Sequence, residues 1–363
     1  MMRRWRGFRW WIAMLLVAGC ATTGPGVSRQ EVRAAKDELD VKGFLMAAEH
    51  YPLVWEVGDR LIEGLPAEYQ DTPHPDLGLA LAKIDKPARR AFHYPDNQHG
   101  VCIVAVRAGS AGETAGLKPG DIITAIDGHS IRSVNAYLSR LEKVGSGHIA
   151  AIRLLRGGAP TELSVKTGSM PMRVLFVISE GRAVNAWAKK DRIVVTNGIL
   201  RFLESKDELA AVLGHELAHL TGHHRRKEIA VAAIASSIGA VAGIATDVLV
   251  PGLGGAVSGT TAALAQAAFS RDFEREADYQ GVLHAYRAGF DPRAGIAVWE
   301  RFALEIPGSL RGDLRNSHPV SPERMVRIRK IVDSLEHDGL EQTIRRYGGE
   351  HEASVRPPVP RFA

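Results

Sequence analysis

Apolar residues recur at three- and four-residue steps through Leu209, Val212, Leu213, Leu217 and Leu220. That period predicts an amphipathic helix with one buried face. His215 and His219, four apart, project from the same side of such a helix, one turn from each other. Two imidazoles so placed bind a single Zn²⁺, and Glu216, beside the first, faces the water that a catalytic zinc carries.

A catalytic zinc takes three protein ligands, so this helix leaves one to be found. The pattern HExxHxxGxxH supplies it from a later histidine. Gly222 is in register, but the ligand position is Arg225, with His223 and His224 just short of it. That source fails. The other source is a glutamate on a later helix, and the segment Ser270 to Asp278 offers it: Glu274 and Asp278 share one helical face. Glu274 is the expected ligand. Asp278, one turn on, is the expected acceptor for the free ring N–H of a ligand histidine. Glu276 points elsewhere and reads as a surface charge, and His223 and His224 read as solvated.

The 363 residues leave room for two domains. The formal charge of +5 includes Arg3, Arg4, Arg6 and Arg9. All four lie in a segment expected to be removed, which leaves about +1 and no basic footprint for nucleic acid. Residues 1–19 read as a bacterial export signal: a cationic start, then an apolar run from Trp10 to Ala18 that is too short to span a bilayer. The run ends Leu16-Val17-Ala18-Gly19-Cys20, which resembles a lipobox, so Cys20 is the expected lipidation site. An uncleaved signal anchor is the alternative. Ala21, where an aspartate would retain the protein at the inner membrane, resembles the outer-membrane pattern of Gram-negative lipoproteins. The expected location is therefore the periplasmic face of the outer membrane, with a soluble domain held by several acyl chains. Cys102 then has no partner in its own chain for a disulfide.

Residues 20–27 read as a tether and 28–75 as helices. Ser28 and Glu31 form a capping box, Leu45, Tyr51, Val54, Val57 and Leu61 a buried stripe, and Pro52 argues for two helices. From 76 to 169 the texture is strand-like. Val101 to Val106 is a candidate buried strand. Ser110 to Gly128 then gives a short helix, a Pro-Gly turn, a strand and an Asp-Gly turn. This order closely resembles the core of a PDZ domain of the bacterial protease-associated kind. The resemblance implies a second helix over Val134 to Val144 and closing strands over Ile149 to Leu155 and Thr161 to Val165. Such domains take an extended peptide as an added strand at a sheet edge. The loop that grips its carboxylate is expected just before Val101, near Asn97 to Gly100, although no standard loop motif stands there. The groove then takes an internal segment, or the domain is a spacer.

Val174 to Ile178 reads as a strand, followed by a hairpin of Val184 to Ala188 and Arg192 to Gly198 around Lys189 to Asp191. A strand next to the metal helix can hold a peptide substrate extended, which makes Asn185, Ala186, Trp187 and Ala188 the candidate substrate strand. Alternatively, Asn185 only stabilises a turn.

With Asn185-Ala186-Trp187-Ala188, Thr196-Asn197-Gly198, Asp207 to His219, Phe273 to Asp278, and Ser317-His318-Pro319 followed by Arg324, the chain resembles the zinc endopeptidases of the HtpX and CAAX prenyl protease type, metallopeptidase family forty-eight. It looks most like their periplasmic lipoprotein branch of BepA- and LoiP-like proteins. The resemblance implies an α+β fold: a mostly helical zincin (gluzincin) domain with a small sheet over residues 170–345, the PDZ-like domain inserted into it, and a C-terminal tail over 346–363. It also implies one Zn²⁺ held by His215, His219 and Glu274, Glu216 as catalytic base, and cleavage of misfolded or misassembled envelope proteins. By the same resemblance, His318 stabilises the oxyanion or swings in as a fourth ligand that shuts the enzyme off; the alternative is a helix cap. Protein substrates, a peptide in the PDZ groove and the membrane are the expected partners. The rival function is a PDZ-bearing periplasmic chaperone in which zinc is structural.

Ile229 to Val250 is apolar but built of Ala, Gly and Ser, and Asp247 interrupts it. Pro251 to Gly255 breaks it before a second Ala-rich helix, Ala256 to Phe269. Alanine gives little transfer energy, so a helical hairpin that covers the cleft or touches the membrane surface is expected rather than a span. Its movement can gate access.

Overall fold

The computed structural model describes residues 25–70, 73–224, 226–234, 236, 240, 254–306, 318 and 321–348. The leader, Cys20, Asp247, Ser317, Pro319 and the tail from 349 lie outside the described residues. The chain forms two compact units, Met1–Asp40 and Val41–Ala363. In the first, Ser28 and Glu31 make the expected capping box: the Ser28 N–H donates to Glu31 Oε2 (2.7 Å) and the Glu31 N–H to Ser28 Oγ (3.2 Å).

Helix α1 (Arg29–Glu63) runs unbroken through Pro52, against the expectation of two helices. The proline removes a hydrogen bond to the carbonyl one turn back, at a cost of about 3 kcal/mol. Burial of Tyr51, Val54, Trp55, Val57, Leu61 and Ile62 offsets it, and the Tyr51 hydroxyl also accepts from the Ile178 N–H (3.2 Å). The stripe starts at Phe44 instead of Leu45, which is 41 % exposed.

Strand β1 (His74–Asp76) leads into β2 (Leu79–Lys83), α2 (Lys86–Ala91), β3 (Val101–Val106), α3 (Ala111–Thr114), β4 (Ile122–Ile126), β5 (His129–Ser130), α4 (Val134–Val144), β6 (Ile149–Arg156), β7 (Ala159–Lys166) and β8 (Gly168–Met170). The antiparallel order is β2-β3-β4-β6-β7, with β5 on β4. Leu77, Ile103, Ile123, Ile126, Tyr137 and Ile152 belong to its own buried core. Strands β1 and β8 pair, so the chain enters and leaves this sheet side by side.

One expectation fails here. Strand β3 is hydrogen-bonded on both sides, by β2 and β4, so the loop before Val101 cannot seat an added strand. The edge beside α4 is β2, and the loop ahead of it is Leu77-Gly78. A groove of about 150 Å³ lies there, lined by Leu79, Leu81, Tyr137 and Leu141, with Trp55 and Phe176 on its far side.

Strands β9 (Leu175–Ser179), β10 (Ala186–Lys189) and β11 (Arg192–Thr196) form a separate sheet in the order β10-β11-β9, with β10 antiparallel and β9 parallel to β11. Helices α5 (Asn197–Phe202), α6 (Lys206–Thr221), α7 (Gly254–Arg287), α8 (Arg293–Glu305) and α9 (Pro322–Tyr347) follow. The expected Ala-rich helix and the segment bearing Glu274 are one continuous helix, α7. No helix among the described residues is long and apolar enough to cross a membrane.

Asp59 on α1 lies 3.3 Å from Arg107, at the end of β3. Burial pushes its carboxyl up to about 6; Arg107 opposes this, and Asp76 and Glu63 add to it. The folded state therefore holds this proton more tightly than the unfolded chain, and stability falls as pH rises from about 4 through 6. Asp59→Asn is expected to stabilise the protein at pH 8 by roughly 3 kcal/mol and to leave it nearly unchanged at pH 4. Thermal unfolding at the two pH values checks this; equal effects at both would contradict it.

Candidate metal centre

Helix α6 begins at Ser205, whose Oγ accepts from the Glu208 N–H (3.1 Å). Arg301 of α8 forks onto the Glu208 carboxylate at 2.7 and 2.9 Å. Leu209, Val212, Leu213, Leu217 and Leu220 are all buried, as their spacing predicts. Helix α7 crosses α6 with a glycine on each side. A Cβ on Gly214 would lie 2.8 Å from the Gly281 carbonyl oxygen, and one on Gly281 2.8 Å from the Cα of His215. This close approach brings Glu274 and Asp278 to the histidine face of α6.

The Nε2 atoms of His215 and His219 are 3.3 Å apart. Glu274 Oε2 is 3.5 Å from the first and its Oε1 3.4 Å from the second. His318 joins them: its Nδ1 is 3.3 Å from His215 Nε2 and 2.8 Å from Glu274 Oε1, and its Nε2 is 3.2 Å from Glu216 Oε1. Four donor atoms, from His215, His219, Glu274 and His318, lie within 4.8 Å of one another. His215 and Glu216 are 3 % and 2 % exposed. Ring nitrogens turned towards each other beside the Glu274 carboxylate are what a shared cation would satisfy. A donor set of imidazole and carboxylate fits zinc.

Asp278 is where its spacing predicts, with Oδ1 3.2 Å from His215 Nδ1. The contact is an ion-pair distance without hydrogen-bond alignment, and the negative charge beside Nδ1 favours the ring proton there, on the side away from the other donor atoms. Arg324 of α9 grips Asp278 from behind with two hydrogen bonds of 2.8 and 2.6 Å, and its Nη1 is 3.2 Å from Glu274 Oε2. Burial works to raise both carboxyls. Arg324 and His215 outweigh it at Asp278, and His318, His215 and His219 outweigh it at Glu274, so both stay below the usual range. Burial likewise pulls His215 down, but Asp278 and Glu274 push it up to about 9.

Two expectations are corrected. His224 is not solvated: it is 1 % exposed, and its Nδ1 is 2.9 Å from Nδ1 of His219. Helix α6 is capped at Gly222, and His223, at φ 52°, turns the chain so that the next side chain folds back. Glu276 is an exposed charge outside the donor cluster, as expected, and its Oε2 lies 3.3 Å from His224 Nε2. His223 is exposed, as expected. The helix-cap reading of His318 also falls, because Ser321 caps α9 with its Oγ on the Arg324 N–H. Sequence reasoning gave Arg324 no part in the site. Its partner Asp278 is 46 positions away, and no periodicity links them.

Strand β10 carries Ala186, Trp187 and Ala188, with β11 as its one strand neighbour among the described residues. Asn185 precedes the strand, and its backbone is pinned to Thr196: its N–H donates to Thr196 Oγ1 (3.3 Å) and its carbonyl accepts from the Thr196 N–H (3.1 Å).

Two imidazoles of one helix, a carboxylate of a second and a buried glutamate beside them define a metallohydrolase-type centre. Comparison with known proteins narrows the class. Residues 161–332 match the model of peptidase family M48 and residues 102–156 that of a PDZ domain, so the chain carries a peptidase family M48 domain and a PDZ domain. It is 36 % identical over 146 residues to the mitochondrial metalloendopeptidase OMA1 of Schizosaccharomyces pombe, a match covering 40 % of this chain and 41 % of that one. It is 27 % identical over 207 residues to the beta-barrel assembly-enhancing protease of Escherichia coli (51 % of this chain, 42 % of that one). It is 30 % identical over 155 residues to the metalloprotease YcaL of the same organism (42 % and 59 %). The chain thus spans about half the length of these curated relatives.

Proposed function

We propose that the chain is a zinc-dependent endopeptidase acting on misfolded or misassembled envelope proteins. The observation that carries this reading is the convergence of His215, His219 and Glu274 beside the buried carboxylate of Glu216. His215, His219 and Glu274 hold the metal. When bound, zinc supplies Lewis acidity, which brings a water to a pKa of about 7 and polarises a carbonyl. Glu216 takes the proton of the attacking water and passes it to the departing amine. Asp278, itself held by Arg324, keeps the His215 ring in the coordinating tautomer. The edge of β10 from Asn185 to Ala188 aligns the substrate by main-chain hydrogen bonds, and the groove between β2 and α4 takes a further extended peptide.

His318 reads as a fourth donor of a resting state, because its Nδ1 lies within the ligand set. Its withdrawal opens a position for water and frees Glu216, which it now contacts at 3.2 Å. The chaperone reading predicts that this fourth contact never opens.

The envelope assignment is supported by the export-signal pattern of residues 1–19 and the lipobox-like residues before Cys20, a combination that favours the periplasmic face of the outer membrane. It also rests on the relative named for β-barrel assembly. Cleavage of a reduced, unfolded model protein tests the activity. A chelator is expected to abolish it and one equivalent of zinc to restore it; cleavage that persists after the metal is stripped would exclude this chemistry.

A further inference from the structure

The two ligand histidines of α6 are supported from behind in different ways. Behind His215 stands a carboxylate, Asp278. Behind His219 stands another imidazole, that of His224, with Nδ1 2.9 Å from Nδ1 of His219. The His224 ring is stacked on Phe273, the neighbour of Glu274 on α7, with centroids 4.9 Å apart and planes at 18°. Its other nitrogen, Nε2, faces Glu276 Oε2 at 3.3 Å. The turn at Gly222 and His223, the Phe273 face and the Glu276 carboxylate therefore fix the ring from three directions.

Two imidazole nitrogens 2.9 Å apart share one proton, and which ring carries it is decided at their far ends. The Glu276 carboxylate is within ion-pair distance of Nε2 without being aligned for a hydrogen bond, and its negative charge favours the His224 tautomer with its proton on Nε2. His224 Nδ1 is then an acceptor, and His219 carries its proton on Nδ1. That leaves a lone pair on His219 Nε2, the atom that faces His215 Nε2 and Glu274. The opposite tautomer pair would place an N–H inside the metal site and turn a lone pair of His224 towards the Glu276 carboxylate.

We propose that His224, aimed by Glu276 and Phe273, is a positioning residue that fixes the ring and tautomer of His219 for zinc. This rests on the zinc reading above. An acceptor behind a ligand histidine typically contributes 10–100-fold to metal affinity.

The test uses the full chain and zinc alone, with affinity read by competition against a chromogenic chelator. His224→Phe keeps a ring against Phe273 but removes the acceptor. It is expected to weaken zinc binding about 10–100-fold while the melting temperature of the zinc-free protein stays within a few degrees. His224→Gln, whose amide oxygen can accept the same proton, is expected to recover most of the loss. Ring ¹⁵N shifts are expected to show His219 protonated at Nδ1 in the wild type. Should the phenylalanine variant not fold, Glu276→Ala carries the test, with a smaller loss in the same direction. Wild-type affinity in both His224→Phe and Glu276→Ala, or a His219 ring protonated at Nε2 in the zinc-loaded wild type, overturns the proposal and leaves the zinc reading standing. A wild-type chain that binds no zinc overturns both.

Discussion

Glu216→Gln is expected to lower the rate of peptide cleavage on the order of 10²–10⁴-fold while the protein still binds one zinc. Glutamine matches glutamate in shape, so the buried pocket around residue 216 is preserved and only the capacity to take a proton is lost. A thousandfold loss corresponds to about 4 kcal/mol of transition-state stabilisation. The Glu216 side chain makes no zinc-directed contact comparable to those of His215, His219 and Glu274, so metal content is expected to be unchanged. Parallel measurement of turnover and bound zinc separates the roles. Native-rate cleavage by a zinc-loaded Gln variant would remove Glu216 from the chemistry. Loss of zinc would recast it as a ligand.

The second large effect lies behind the site. Arg324 is buried against Asp278 and Glu274, with its guanidinium 4.5 Å above the Trp299 ring. Arg324→Met leaves two buried carboxylates without their cation, at a cost of about 3–5 kcal/mol in stability. The double variant Arg324→Met, Asp278→Leu removes both partners and is expected to recover most of that stability. It is not expected to recover zinc affinity, because His215 Nδ1 then has no carboxylate beside it. Chemical denaturation and zinc titration on the two single variants and the double close the cycle. If the single Arg324→Met variant unfolds with the wild type, the guanidinium does not hold the site together.

Apart from His318, which the family resemblance alone supplies, the parts of this site legible in the sequence share a property: each is written in the period of one element. His215 and His219 are one turn apart on α6, and Glu274 and Asp278 are one turn apart on α7. Strands β3 and β4 are legible in the same way, from local apolar runs bounded by Gly and Pro turns, whereas helix α4 and the closing strands follow only from the PDZ resemblance. Periodicity reports which face of its own element a residue occupies, but not what lies opposite that face. Arg324 therefore stands in the family motif with no role assigned, since its partner Asp278 sits on another helix. His224 was misread because it lies beyond a helix end, where a left-handed residue, His223, replaces the helical spacing. Pro52 misled in the opposite sense, since a local cost was outweighed by long-range burial of α1. The groove was assigned to the wrong loop because strand order, which makes β2 and not β3 the edge, is a property of the assembled sheet.

The most direct test of the account is a crystal of the zinc-loaded protein measured at the zinc absorption edge. The account predicts one strong anomalous peak about 2.0–2.2 Å from His215 Nε2, His219 Nε2 and a Glu274 oxygen, with His318 as the fourth contact in the resting state. A peak elsewhere, or a zinc that Glu274 does not touch, would contradict it.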